Sequence, residues 1–298
     1  MFRIQHCDQI APTNYLMEIE APAIARKAQA GQFVVIIPDE RGERIPLTLA
    51  DWDGEQGTIT IVFQAVGTST IKLSLLRAGD NLPHVVGPLG HPSGADNYGT
   101  VIPVGGGVGI AAIAPIARAL KQAGNRVITI MGTRTGELLF WEDRLAAVSD
   151  QLIVTTDDGS YGRHGVVTQP LVELLQDGAG VKRIIAVGPT AMMKFVAQAT
   201  RPFGVKTIVS LNPIMIDGTG MCGGCRVSVD GETRFTCTDG PEFDGHLVDW
   251  DLLGVRQNAY ATQEKHSQEC LQQRLHKVLE KNSRPSDQKA KRYSEGSG

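Results

Sequence analysis

An N-terminal antiparallel β-barrel, a parallel-sheet α/β domain and a short C-terminal hairpin segment bearing cysteines form the architecture that the sequence predicts. Three observations predict it. Short β-branched runs punctuated by Gly and Pro fill the chain up to Asp96. Apolar strands alternate with amphipathic helices from Tyr98 to Leu211. A stretch rich in Gly, Asp and Cys follows, from Asn212 to Asp251. These shifts in composition place boundaries at 1–96, 97–211 and 212–251, with a tail over 252–298.

In the first region the strand candidates are Phe33 to Ile37, Leu47 to Ala50 and Gly57 to Phe63. A helix is expected over Ser69 to Leu76. In the second, strands are expected at Thr100 to Val104, Val127 to Met131, Leu152 to Thr156, Arg183 to Val187 and Lys206 to Leu211. Helices fall between them, over Ile110 to Gln122, Glu137 to Val148, Gly165 to Leu175 and Thr190 to Thr200. Strand–helix alternation of this kind builds a parallel sheet covered on both faces. In the third region Arg226 to Val229 and Thr233 to Thr236 flank Asp230-Gly231, a strong hairpin signal. One helix is expected around Gln263 to Leu279, and the polar end after it is expected to be disordered.

The chain has 298 residues, enough to bury more than one core, and its formal charge is −3. That charge gives no electrostatic case for nucleic acid as the main partner. The apolar run Val101 to Ala117 is interrupted by Pro103, Pro115 and the glycines between them. It reads as strand, turn and helix rather than as a membrane span. The N-terminal residues lack the apolar stretch of a signal peptide, so the expected location is the cytoplasm. Five cysteines, an odd number, argue against a disulfide framework.

Three of those cysteines form the sharpest signal, Asp217-x4-Cys222-x2-Cys225-x11-Cys237. Thiolates are soft ligands suited to iron–sulfur clusters or zinc. Two glycines between Cys222 and Cys225 let the backbone wrap tightly and aim amides at cluster sulfurs. A closed zinc site needs a fourth ligand, for which His246 is a candidate. Asp217 stands where a plant-type C-x4-C-x2-C arrangement carries its first cysteine, and a carboxylate can ligate ferric iron.

Gly105 to Gly109 follows a strand and opens a helix, the setting in which amides and a positive helix end meet a pyrophosphate. It lacks the third glycine of the full dinucleotide fingerprint, since position 110 is Ile. Gly132, Arg134, Asp157, Asp158, Gly188 and Pro189 lie at other strand ends, where open α/β sheets bind ligands. Carboxylates at Asp157 and Asp158 suit a ribose diol and repel a 2′-phosphate, favouring NAD(H); Arg134 argues the other way. In the barrel, Arg44-Ile45-Pro46-Leu47-Thr48 sets a cation beside a strand. Gly67-Thr68-Ser69-Thr70 offers amides and hydroxyls before a helix. Taken alone, these are also an ordinary surface arginine and a helix cap.

The order of these features resembles the ferredoxin–NADP reductase superfamily, over roughly residues 1 to 250. Within it the chain is similar to the electron-transfer subunit of dihydroorotate dehydrogenase B. It is more similar to the small subunit of NADH-dependent ferredoxin:NADP oxidoreductase, also described as the sulfide dehydrogenase β subunit. Dihydroorotate-type subunits carry four cysteines at the cluster loop; the second group has one aspartate and three cysteines, as here. The resemblance implies a [2Fe–2S] cluster on Asp217, Cys222, Cys225 and Cys237. It implies FAD against Arg44, Pro46, Leu47 and Thr48, with Phe63, Gln64 and Ala65 lining the flavin. Gly67, Ser69 and Thr70 would lie at its diphosphate, and Gly107, Val108 and Gly109 at the NAD pyrophosphate.

The activity so implied is hydride exchange between NAD(H) and FAD, followed by single-electron transfer through the cluster. The cofactors carry that chemistry, and none of His84, His91 and His164 is assigned as a base. The implied partner is a large oxidoreductase subunit with its own FAD and [4Fe–4S] clusters that binds NADP(H) and performs electron bifurcation. The alternatives are an electron-transfer subunit of dihydroorotate dehydrogenase, or of a hydrogenase or sulfite reductase complex. A zinc-stabilised assembly module without catalysis is a reading of a different class.

Overall fold

The computed structural model describes residues 1–40 and 42–283. The barrel is built from β1 (Phe2–Ala11), β2 (Asn14–Glu20), the single turn α1 (Pro22–Ala25), β3 (Phe33–Ile37), β4 (Ile45–Asp53), β5 (Thr58–Gln64), α2 (Thr68–Ser74), β6 (Asn81–Leu82) and β7 (His84–Leu89). Its strand order is β6-β1-β2-β5-β4-β3-β7, with every pairing antiparallel. The two edge strands, β6 and β7, are consecutive in sequence with only Pro83 between them, so the sheet's edges meet and the barrel nearly closes. Period-two alternation drives this closure. Met17, Ile19, Ile59, Ile61 and Phe63 point inward and are essentially fully buried, with Leu73 of α2 among them.

The second sheet comprises β8 (Thr100–Gly106), β9 (Arg126–Thr133), β10 (Gln151–Thr156), β11 (Arg163–His164), β12 (Val181–Val187) and β13 (Lys206–Ser210), all parallel. The helices α3 (Gly109–Gln122), α4 (Glu142–Ala146), α5 (Thr168–Gln176) and α6 (Thr190–Thr200) cover it. The order is β11-β10-β9-β8-β12-β13 plus one antiparallel edge strand described below. The chain leaves β8 to one side and returns on the other at β12, so the topological switch point lies between β8 and β12. One face packs α5 and α6 onto Ile102, Ile128 and Ile184. The other face packs α3 against the sheet and also against Ala50 and Val62 of the barrel, which makes one core continuous across the two sheets.

After β13 come the hairpin β14 (Arg226–Val229) and β15 (Glu232–Phe235), the short turn α7 (Thr236–Asp239), β16 (Glu242–Asp244) and α8 (Trp250–Gln257). β16 pairs antiparallel with β13, so the cysteine segment is stitched onto the nucleotide-type sheet. A separate helix, α9 (Ala261–Ser283), forms its own unit. No described helix is long and apolar enough to cross a membrane.

Several expected elements differ from the observed ones; the helix expected over Gly165 to Leu175, for one, runs over Thr168–Gln176. The helix expected over Glu137 to Val148 is split into a 3-10 turn at Gly136–Leu138 and the short α4, because Trp141 adopts the left-handed region (φ +59°) and breaks it. Thr236 leaves the hairpin for α7, so Cys237 sits in a helical turn. The strand expected to run to Leu211 ends at Ser210. The polar end beyond the last helix, expected to be disordered, lies outside the described residues.

Candidate functional site: a shared cleft and a cysteine loop

A cleft of about 1240 Å³ runs between the barrel wall and the carboxyl ends of the parallel strands. On the barrel side it is lined by Pro46, Leu47 and Thr48 of β4, Phe63 and Gln64 of β5, and Thr70 of α2. On the other side are Gly107, Val108, Gly109, Gly132, Arg134, Asp157, Gly188 and Pro189. The switch point thus opens onto the barrel, and the two groups of sequence candidates share one cavity.

The strand ends are shaped by close approach. A Cβ on Gly109 would lie 2.2 Å from the Val187 carbonyl oxygen, so only glycine lets α3 start this close to the end of β12. Gly107 takes φ +54° and donates its amide to the Gly132 carbonyl at 2.9 Å, joining the β8 and β9 ends. The N-terminus of α3 carries no side-chain cap. The Ile110 and Ala111 amides turn back to the Gly107 and Val108 carbonyls, and the positive dipole end, opened by Gly109, lies at the cleft, an arrangement that accepts an anionic group.

Arg44, Ala65, Gly67, Ser69 and Asp158 stand outside the cleft lining. Arg44 is exposed at the mouth of β4. Ser69 is buried, and its hydroxyl donates to Glu43 at 3.3 Å. The Thr70 hydroxyl accepts from the Val66 and Gly67 amides and donates to the Gly67 carbonyl, capping α2 from within. Asp158 accepts from the amide and the hydroxyl of Ser160, which hold its carboxyl below the usual range. Among the described residues no histidine lines the cleft; His84 and His164 are exposed, and His91 only spends its backbone amide on the Gly240 carbonyl.

Some lining residues carried no signal in the sequence reading. Asn14 is 2% exposed, lines the barrel wall, and has a side-chain oxygen without a hydrogen-bond partner. It sits opposite Gln64 in the β2–β5 pairing. Phe33, Met215 and Pro241 also reach the cleft, from three distant segments. Only the register of the barrel and the return of the chain after β13 bring them together.

Phe33 and Met215 do more than line the cleft. With Val35 they form a small buried cluster with Cys225 and Cys237. The two sulfurs are 3.2 Å apart and almost wholly buried. Burial first, and then the neighbouring Cys225 thiol, push the Cys237 thiol up to about 12. Cys222 is exposed on the loop that precedes Cys225 and accepts the Gly224 amide at 3.4 Å. Asp217 turns its carboxylate to the amides of Thr219 (2.9 Å) and Cys222 (2.8 Å), which hold it below the usual carboxylate range. The structure therefore brings Cys225 and Cys237 into contact and ties Asp217 to the start of the Cys222 loop. Among the described residues it gathers no three such side chains at metal-holding distance. His246, the candidate fourth zinc ligand, instead bonds the Thr200 hydroxyl at 3.0 Å, with Asp244 at 3.9 Å.

The donor set fits an iron–sulfur cluster. Two buried sulfurs already meet face to face, and cysteines ligate such a cluster as thiolates. The third thiol and a carboxylate already held in its charged form lie on the same glycine-bearing loop.

Residues 212–249 match the model of the iron–sulfur cluster-binding domain of dihydroorotate dehydrogenase B. The electron-transfer subunit homolog of dihydroorotate dehydrogenase B (NAD(+)) from Thermotoga maritima is 53% identical, over 88% of this chain and 92% of its own. The chain belongs to the dihydroorotate dehydrogenase B electron-transfer subunit family. A member from Geobacillus thermodenitrificans is 34% identical, over 78% of this chain and 92% of its own. Among solved structures, a chain of the NADH-dependent reduced ferredoxin–NADP oxidoreductase superposes with a TM-score of 0.85. It is 49% identical, over 90% of this chain and 97% of that one. Phthalate dioxygenase reductase, 18% identical with a TM-score of 0.54, shares the fold. The chain is thus an electron-transfer subunit with a ferredoxin-reductase-like fold and an iron–sulfur-binding segment, as the resemblance implied.

Proposed function

We propose that the chain takes a hydride from NADH onto FAD and passes electrons singly, through a [2Fe–2S] cluster, to a partner subunit. The observation that supports this most is the double placement of Phe33 and Met215, which touch the cleft on one side and the buried thiol pair on the other. A flavin in the cleft and a cluster on the cysteines would be separated by little more than this apolar layer. FAD supplies two-electron acceptance and one-electron release, and the cluster supplies one-electron carriage.

The residues divide the work of holding and orienting. Pro46, Leu47, Thr48, Phe63 and Gln64 form the wall for the flavin ring. Gly107, Val108 and Gly109 hold the nucleotide pyrophosphate at the α3 terminus. Asp157 takes the ribose hydroxyls and disfavours a 2′-phosphate, while Arg134 lies at the neighbouring strand end. Asp217, Cys222, Cys225 and Cys237 hold the cluster, with the loop closing on the metal. Residues 1–96, 97–211 and 212–251 then serve as flavin, nucleotide and cluster regions of one electron path. The cytoplasm is the compartment in which NADH and free thiols both suit this role.

The partner we infer is a larger flavin and [4Fe–4S] subunit that binds NADP(H), as in an electron-bifurcating NADH-dependent ferredoxin:NADP oxidoreductase. The aspartate at 217 and the 49% identity to that enzyme's chain support this choice. The family match over the cluster segment favours, as a second reading, delivery of electrons to a dihydroorotate-oxidising subunit. Affinity capture of the tagged full chain from its native extract, kept anaerobic, separates the two. Co-purification of a [4Fe–4S] flavoprotein that reduces NADP is expected. A colourless preparation containing zinc and no labile sulfide would overturn both readings.

A further inference from the structure

Asp51, on the barrel, receives two arginines from two different elements of the nucleotide-type sheet. Arg118 of α3 reaches one carboxylate oxygen at 2.9 Å and Arg144 of α4 the other at 3.6 Å. Both arginines also stack on tryptophan rings: Arg118 lies 5.4 Å from the Trp52 ring centre and Arg144 lies 4.4 Å from that of Trp141. Two local irregularities produce this meeting. The β4–β5 register slips between Leu49 and Asp51, a bulge that re-aims the strand's last residues. Trp141 holds the left-handed conformation that breaks the preceding helix and starts α4 where Arg144 can reach the barrel. A bulky residue in that region is strained, and such strain persists only where the surroundings enforce it.

Both partners of the meeting point are levers on the cleft. β4 lines the cleft with Pro46, Leu47 and Thr48 and carries Asp51 three residues further on, about 10 Å along a strand. α3 opens at Gly109 in the cleft and carries Arg118 nine residues on, about 13 Å along a helix. Between β4 and α3 the packing is apolar, with Ala50, Val62, Ala111 and Ala112 in it and the Trp52 ring against it. That apolar contact is not directional, whereas the Arg118–Asp51 hydrogen bond is, and the Arg144 ion pair draws the same carboxylate toward α4.

Resting on the hydride-transfer reading above, we propose that Asp51, clamped by Arg118 and Arg144, is a positioning residue that sets the angle between the barrel and the nucleotide-type domain. Through that angle it sets the approach of the nicotinamide to the flavin. The three side chains are partly exposed and touch neither cofactor site. Their effect is on alignment, where a displacement of about 1 Å can cost on the order of a hundredfold in rate. The step they align breaks the C4–H bond of the dihydronicotinamide, whose electron pair and hydrogen move together to the flavin N5. The nicotinamide is oxidised by two electrons and the flavin reduced by two.

The test uses the full chain loaded with FAD and cluster, made anaerobic, as wild type, Asp51→Asn, Arg118→Lys and the exchange pair Asp51→Arg with Arg118→Asp. Flavin bleaching after rapid mixing with NADH gives the limiting rate and the half-saturating concentration. Amide hydrogen exchange over Leu49 to Asp53 and Ile116 to Gln122 reports the clamp without turnover. Asp51→Asn is expected to lower the limiting rate about tenfold, to change half-saturation less than about twofold, and to speed exchange in both segments. Arg118→Lys keeps the charge without the fork and should fall between, and the exchange pair should regain part of the rate. Limiting rates within about twofold of wild type in Asp51→Asn and Arg118→Lys would overturn the proposal. So would a general loss of thermal stability, with rate and half-saturation falling together and no recovery in the exchange pair, because Asp51 would then serve stability alone. If the wild-type flavin stays oxidised in NADH, the hydride reading itself fails and the clamp fails with it.

Discussion

Cys225 and Cys237 face one another with 3.2 Å between their sulfurs, almost wholly buried, behind the aromatic ring that also lines the cleft. Eleven residues, most of them in a hairpin, intervene between them, so their meeting is a property of the fold. It fixes the inner half of the proposed cluster site against the barrel, while Asp217 and Cys222 lie on the outer loop.

Replacing Cys237 by Ser should abolish iron and acid-labile sulfide binding while the chain keeps its flavin, because the flavin wall belongs to β4 and β5. Metal and sulfide analysis beside the visible spectrum checks this. Asp217→Ala should retain less iron than wild type and Asp217→Cys should restore it with a shifted midpoint potential; an unshifted potential would remove any tuning role for the carboxylate.

Gly109→Val should eliminate NADH binding and destabilise the chain. Its first added carbon would meet the Val187 carbonyl oxygen at 2.2 Å, and that backbone cannot retreat without moving β12. Overpacking of this kind costs about 1–3 kcal/mol. Calorimetric titration with NADH and a thermal midpoint measure the two effects separately.

Glu242 should make stability depend on pH. Its residue is only partly exposed, and its carboxyl is enclosed between Ser93, which donates to it, and the field of Arg183. Burial is the larger influence and pushes the acid above the usual glutamate range; the Ser93 bond and Arg183 oppose it. Between the ordinary glutamate value and the raised one, the unfolded chain has lost this proton and the folded chain has kept it. The contribution is therefore complete below the ordinary value and is lost as pH rises through the raised one. Glu242→Gln should flatten the thermal midpoint across that window and raise it at the upper end. An unchanged slope would show that the carboxyl titrates normally.

Ile61→Ala should destabilise the barrel by about 2–5 kcal/mol, since the side chain is fully buried in its interior. The loss should appear in flavin retention as well as in the denaturation midpoint, because Phe63 lies two residues along the same strand face.

Much of this was legible in the sequence, for physical reasons. Val127 to Met131 and Val101 to Val104 are buried on both faces, so their runs are almost wholly apolar, and both became strands with ends extended by one or two residues. β1 was harder. Its ten residues include Gln5, His6, Asp8 and Gln9 and are mostly exposed, so pairing with β2 and β6, rather than periodicity, makes it a strand. β16 is three residues long and exists because β13 offers it an edge. The split at Trp141 had no local signal, since left-handed conformation in a tryptophan contradicts its own preference. At the site, the glycine turn after β8 and the cysteine spacing could be read directly, because their chemistry is local. Asn14, Phe33 and Met215 could not, because their roles depend on which segments the barrel and the return strand bring together.

One low-temperature electron paramagnetic resonance measurement of the anaerobically prepared full chain, after addition of NADH alone, tests the proposed electron path most directly. The expected result is the signal of a reduced [2Fe–2S] centre, appearing in step with loss of the oxidised flavin band and absent in Cys237→Ser. A flavin that bleaches while no such signal forms in iron-loaded wild-type protein would contradict it.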